Sequence, residues 1–103
     1  MKLLNAFSLN MLAVLPAAPR FSELTLEEVK GLLADGLESA VGHADTAAVF
    51  EDVLGLPVPA VRATLLLSPG DSAVIGQYRG PRLPEGAHQL PGGATIQWIL
   101  LEL

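Results

Sequence analysis

The stretch from Arg79 to Gly93 carries three prolines and four glycines. Proline fixes φ and removes a backbone donor, and glycine costs the most chain entropy when ordered, so this density of both leaves no room for a helix or a ladder strand. The stretch is a long loop, and it parts the last segment, Thr95 to Leu103, from everything before it. That segment reads as a closing strand in which Trp98 and the leucines pack. A chain of 103 residues that gives so much length to one loop holds a single domain, residues 1–103, with a handful of elements. Hydrophobic residues make up 50% of it and charged residues only 17%, enough apolar surface to bury a core and to exclude a disordered chain. Mean hydropathy is +0.45, yet no apolar run reaches the roughly 18 residues that a membrane-spanning helix needs. Cysteine is absent, which removes disulfides, thiolate zinc sites and a thiol nucleophile from consideration.

The opening residues Met1 to Pro19 have the outline of a secretion signal, with Lys2 ahead of an apolar stretch and small residues at Ala17 and Ala18. Asn5, Ser8 and Asn10 interrupt that stretch at a cost in lipid, so the reading adopted is a short buried strand over Lys2 to Phe7 followed by a polar turn. Thr25-Leu-Glu-Glu28 is a capping box, and Leu26, Val29, Leu32 and Leu33 then recur at helical spacing. A helix from about Thr25 to Asp35 follows, stopped by Gly36. Leu37 to Gly42 reads as a short strand or turn. Asp45 and Thr46 are placed to cap a second helix, whose apolar stripe is Val49, Phe50, Val53 and Leu54 and whose end is Gly55-Leu-Pro57. Val61 to Leu67 and Ser72 to Tyr78 flank Ser68-Pro-Gly-Asp71, which predicts two strands joined by a tight hairpin. The expected fold class is α/β bordering on α+β, a mixed sheet of about five strands with two main helices.

Charge is unevenly spread. Eight of the eleven acids fall between Glu23 and Asp52, while beyond Asp52 three acids face the arginines Arg62, Arg79 and Arg82. The net charge of −5 argues against a general grip on long nucleic acid, so DNA is not an expected partner and any anion must be held by a local cluster. The two histidines, His43 and His88, share no ligand spacing with each other or with carboxylates, and no metal ligands are assigned. Pro69-Gly70 and Pro91-Gly92-Gly93 lack the frames of nucleotide-binding loops and read as turns. By itself His43 is a helix-entry residue satisfied by a backbone group.

Three stretches change that reading when taken together: Leu4-Asn5-Ala6-Phe7-Ser8-Leu9-Asn10-Met11-Leu12, Val41-Gly42-His43-Ala44-Asp45-Thr46, and Arg82-Leu83-Pro84-Glu85-Gly86. In order and spacing they resemble the ring nucleases of type III CRISPR signalling, a family of viral anti-CRISPR proteins and their cellular homologues, over nearly the whole chain. The opening block is the specific part. The family carries Asp then Ser after the histidine, where this chain has Ala44 and Asp45. It also carries a helix after the Arg-Leu-x-Glu-Gly loop, for which Ala87 to Gly93 is too short and too rich in Pro and Gly.

The resemblance implies a compact homodimer that degrades cyclic tetra-adenylate without metal or other cofactor. The chemistry of the residues agrees. An RNA phosphodiester carries its own nucleophile in the ribose 2′-hydroxyl, so the protein need only align it, neutralise the phosphorane and protonate the leaving 5′-oxygen. The imidazole of His43 suits the proton transfer, because this ring type holds and releases a proton near neutral pH. The guanidinium of Arg82 suits the charge neutralisation, offering a planar fork to two phosphate oxygens. Glu85 would orient Arg82 or bond a ribose hydroxyl, or else is a solvated loop carboxylate. Asn5, Ser8 and Asn10 suit adenine edges and ribose, Thr46 sits in the histidine motif as a ligand-binding residue, and Arg62 matches an arginine of the family that would reach phosphate or ribose. Without the resemblance, Asn5 to Asn10 is a polar turn.

A ring of four identical nucleotides presents the same face to two protomers about a two-fold axis, which fits a homodimer with two copies of His43 and Arg82. The expected setting is the cytoplasm of a cell or infected host, with no membrane partner. Two other readings stay open: a module that binds or sequesters the messenger without cleaving it, and a structural dimerisation domain.

Overall fold

The computed structural model describes residues 1–103. Five strands and two helices make it up, in the order β1 (Lys2–Leu4), β2 (Arg20–Leu24), α1 (Leu26–Leu33), β3 (Glu38–Ser39), α2 (Ala44–Leu54), β4 (Ser72–Arg79) and β5 (Thr95–Glu102), with a 3-10 turn at Leu9–Met11. The strands form one sheet in the order β2-β5-β4-β1-β3. β1 runs parallel to β3 and β4, while β5 is antiparallel to both β4 and β2. It is therefore a mixed sheet in a single α+β domain, with β5 the one strand reversed against the other four.

Local rules account for the helices. The capping box at Thr25 and Glu28 is made in both directions, at 3.2 Å and 3.0 Å, and α1 buries Val29 and Leu33. It ends at Leu33, two residues short of Asp35. α2 starts one residue ahead of the expected Asp45-Thr46 cap: His43 is the N-cap residue and makes no side-chain cap hydrogen bond. Asp45 is not free to cap, because its Oδ1 accepts from the Gly86 amide at 3.0 Å. At the other end Gly55, at φ 69°, takes the left-handed C-cap conformation that side chains disfavour.

The strands are where the sequence reading needs correction. β1 ends at Leu4 rather than Phe7. Val61 to Leu67 forms no strand; apart from Val61 N bonding Val41 O and an isolated bridge between Leu67 and Leu12, its backbone is unpaired. The reason lies in β4, whose two edges are taken by β1 and β5, so the expected hairpin partner has nowhere to pair. The turn at Ser68 to Asp71 does form, with Asp71 N bonding Ser68 O at 3.0 Å and Ser68 N bonding Asp71 Oδ2 at 2.8 Å. The fifth strand is instead β2, Arg20–Leu24, whose mixed polar and apolar residues suit an edge strand exposed on one side. The long loop after Arg79 and the closing strand are as expected.

Each face of the sheet carries its own core. On one face α1 and α2 pack Val29, Leu33, Phe50 and Leu54 against Leu3, Val74 and Trp98. On the other, Leu4, Ala73, Ile75 and Leu101 are covered by irregular chain, through Leu67, Met11 and Leu65. Val74 thus points to one face of β4 and Ala73 and Ile75 to the other, as a strand buried on both sides requires. No helix is long and apolar enough to cross a membrane.

Candidate functional site

β1, β3 and β4 are parallel, so their carboxyl ends lie along one edge of the sheet. In open α/β sheets the segments leaving that edge are where ligands bind. Here Asn5 follows β1, the Val41-Gly42-His43 segment follows β3, and the Gly80–Ala94 loop follows β4.

A cavity of about 830 Å³ opens on the helical side of this edge. His43, Asp45 and Thr46 line it from the start of α2, Tyr78 and Gly80 from the end of β4, and Arg82 to Glu85 from the loop. Four of the residues expected from sequence, His43, Thr46, Arg82 and Glu85, are therefore brought together. His43, Arg82 and Glu85 are exposed and Thr46 is half-buried. The imidazole makes no cap hydrogen bond, and the start of α2 shares the cavity with the cation Arg82 and the carboxylates Asp45 and Glu85.

Arg62 is close by but does not line the cavity. Its Nε donates to Gly42 O at 3.1 Å, and a Cβ at Gly42 would meet the Arg62 Cγ at 3.7 Å. The arginine thus holds the peptide just before His43 through its Nε alone.

Asn5, Ser8 and Asn10 are not brought to this cavity. Asn5 lines a separate cleft of about 360 Å³ with Phe7, Phe21, Ile75, Gln77 and Ile99. By strand register, Ile75, Gln77 and Ile99 point to the face away from the helices. Ser8 Oγ donates to Asn10 Oδ1, so these two side chains satisfy each other in the 3-10 turn. Arg79 is tied along the same face, donating to Gln97 at 2.9 Å, which in turn donates to Glu23 at 3.1 Å.

Sequence reasoning missed Tyr78, Gln77 and the tie made by Asp45. Tyr78 and Gln77 are consecutive on an alternating strand and so serve opposite faces, a signal present in the sequence but without a site to attach it to. Nothing in the local sequence joins Asp45 to Gly86.

Fold and cavity define a small α+β domain with a polar cavity at the carboxyl ends of its parallel strands. The STIV B116-like family model matches residues 1–91, and the chain belongs to that family. Its structure is similar to that of B116 of Sulfolobus turreted icosahedral virus, with a TM-score of 0.82 and 26% sequence identity over 99% of this chain and 97% of that one. No match was found among curated proteins.

Proposed function

We propose that this protein is a ring nuclease that binds cyclic tetra-adenylate and opens it by 2′-hydroxyl attack, switching off type III CRISPR signalling in the cytoplasm. The observation that carries the reading is the convergence of His43, Thr46, Arg82 and Glu85, drawn from two separate motifs, on one cavity. Membership of a viral protein family agrees with an anti-CRISPR role.

The reaction is a transesterification. The 2′-oxygen loses its proton to solvent water and bonds to phosphorus as the bond to the 5′-oxygen breaks, leaving a linear product with a 2′,3′-cyclic phosphate at one end and a 5′-hydroxyl at the other. His43 gives its proton to the departing 5′-oxygen, for which its free ring is suited. Arg82 forks two phosphate oxygens and offsets the charge that grows on them. Glu85, three residues on, orients Arg82 or accepts from a ribose hydroxyl. Arg62 steadies the Gly42 carbonyl and adds charge for phosphate. Asn5, Ser8 and Asn10 act toward the base and ribose from the opposite face of the sheet, which a ring shared between two protomers would span.

That sharing makes the homodimer part of the proposal. Leu9, Phe21 and Leu66 are 78%, 50% and 56% exposed; Phe21 pairs with Leu101, and Leu9 and Leu66 adjoin Met11 and Leu67, which pack on the face that lacks helices. So many large apolar groups beside one thin layer call for a cover, and a second copy supplies it symmetrically. A second reading, retention of the ring without cleavage, is favoured by Ala44 and Asp45 standing where ring nucleases carry Asp and Ser. Incubating the protein with labelled ring in EDTA tests both. Linear product with a 2′,3′-cyclic phosphate supports the nuclease, bound intact ring supports sequestration, and indifference removes both.

A further inference from the structure

The loop Gly80–Ala94 holds Arg82 and Glu85, yet it has little regular structure to stiffen it. Its internal hydrogen bonds are Ala87 N to Pro84 O at 3.0 Å, Ala94 N to Pro91 O at 3.1 Å and a long contact between His88 Nδ1 and Gly86 O at 3.4 Å. Two hydrogen bonds join it to the rest of the molecule, and both come from side chains. Tyr78 Oη donates to Pro81 O at 2.6 Å, and Asp45 Oδ1 accepts from Gly86 N at 3.0 Å. These bonds fall immediately before Arg82 and immediately after Glu85.

The base of the loop is closed as well. A Cβ at Gly80 would lie 2.6 Å from the Ala94 Cβ and 3.0 Å from Tyr78 Oη, so the two stems touch and only glycine fits between them. Beyond that point the loop's only hydrogen bonds to the rest of the chain are those with Tyr78 and Asp45. Gly86 sits at φ 79°, a left-handed turn that aims its amide without the strain a side chain would add. Asp45 is itself half-buried in the first turn of a well-packed helix, two residues after His43. The tie at Gly86 therefore joins the far end of the Arg82–Glu85 segment to the helical turn that follows His43.

We propose that Tyr78 and Asp45 are positioning residues that clamp the two ends of the Arg82–Glu85 segment and so fix the guanidinium and carboxylate opposite His43. This rests on the ring-nuclease reading for its catalytic consequence, though the clamp itself does not. Carboxylate to amide is a charge-assisted bond with a directional donor, and it gives Asp45 a task that does not need contact with the ligand. It also supplies by side chains the rigidity that a helix after the loop would otherwise provide.

The test uses the full-length protein and the variants Asp45→Ala, Asp45→Asn and Tyr78→Phe, with two readouts. The first is the order of the Arg82, Leu83, Glu85 and Gly86 amides without ligand, by nitrogen-15 relaxation. The second is the single-turnover cleavage rate of labelled cyclic tetra-adenylate against its affinity. Asp45→Ala is expected to loosen Glu85 and Gly86 and to slow cleavage about tenfold to a hundredfold, the scale of a misplacement of about 1 Å, while affinity changes much less. Asp45→Asn keeps an oxygen acceptor and is expected to rescue both readouts. Tyr78→Phe is expected to loosen Arg82 and Leu83, and it carries the test if Asp45→Ala alters the amide spectrum outside the loop. Wild-type loop order in Asp45→Ala and Tyr78→Phe would overturn the clamp, as would an Asp45→Asn protein as loose as Asp45→Ala. Should the wild-type protein leave the ring intact, the nuclease reading fails, and loop order alone decides the clamp.

Discussion

His43 marks the entry to α2 and donates to nothing as a cap, an unusual economy at a position where Ser, Asp or Asn would satisfy an amide. An exposed imidazole without a structural task is available for chemistry, and its removal leaves the core intact. His43→Ala is therefore expected to fold and bind the ring while single-turnover cleavage falls about a hundredfold or more, the scale of losing a general acid. Rapid-quench measurement checks it, and an unchanged rate takes His43 out of the mechanism. The arginines divide by position. Arg82 lines the cavity, so Arg82→Ala is expected to slow the chemical step. Arg62 holds Gly42 O from outside it, so Arg62→Ala is expected mainly to weaken binding. Titration with a non-cleavable ring analogue separates affinity from rate, and loss of affinity alone in both variants would refute the role given to Arg82.

At the scale of elements, the contact of α2 with the sheet is organised around an absence. Gly76 on β4 lies beneath Phe50 and Trp98, whose rings stand 5.2 Å apart at 55°. A Cβ on Gly76 would approach Phe50 Cζ to 2.6 Å and Trp98 Cζ3 to 2.7 Å. Both rings are buried in the helical-side core, so neither has room to retreat. Gly76→Ala is expected to destabilise the fold by about 1–3 kcal/mol, as overpacking of a filled core does, read as a lowered midpoint in urea unfolding. Because α2 also carries His43 and Asp45, displacing it would shift the site with it. A midpoint equal to that of the wild type would mean that the rings repack at little cost.

For the whole molecule, the two faces of the sheet are unequal. Helices cover one, and irregular chain covers the other, where Leu9 of the 3-10 turn and Phe21 of β2 are exposed. The His43 cavity and the Asn5 cleft lie on these opposite faces, so one protomer cannot bring all the expected ligand-binding residues to one side of a ring. A homodimer with one ring per two chains, its floor formed by Asn5 to Met11 and the region after Gly42, is the expected assembly. Light scattering with calorimetric titration checks it. A monomer at micromolar concentration, or one ring per chain, would sink the shared-site arrangement.

Features written in short-range chemistry were legible without coordinates. The Thr25–Glu28 capping box, the apolar stripe of α2, the stop at Gly55, the turn at Ser68 to Asp71, the long loop after Arg79 and the strands near Ser72 and Thr95 all follow from neighbours a few residues apart. His43, Thr46, Arg82 and Glu85 are singled out by the family resemblance of two contiguous motifs, and only the fold brings those motifs to one cavity. Pairing was another matter. Val61 to Leu67 has the composition of a strand but meets a β4 whose edges are occupied, while the weaker Arg20–Leu24 finds the free edge of β5. Edge availability depends on every other strand, so no local pattern encodes it. The same holds for Asp45 and Gly86, separated by 41 residues: each was readable as a cap and a turn, and only the folded chain, by bringing α2 beside the loop, made them partners.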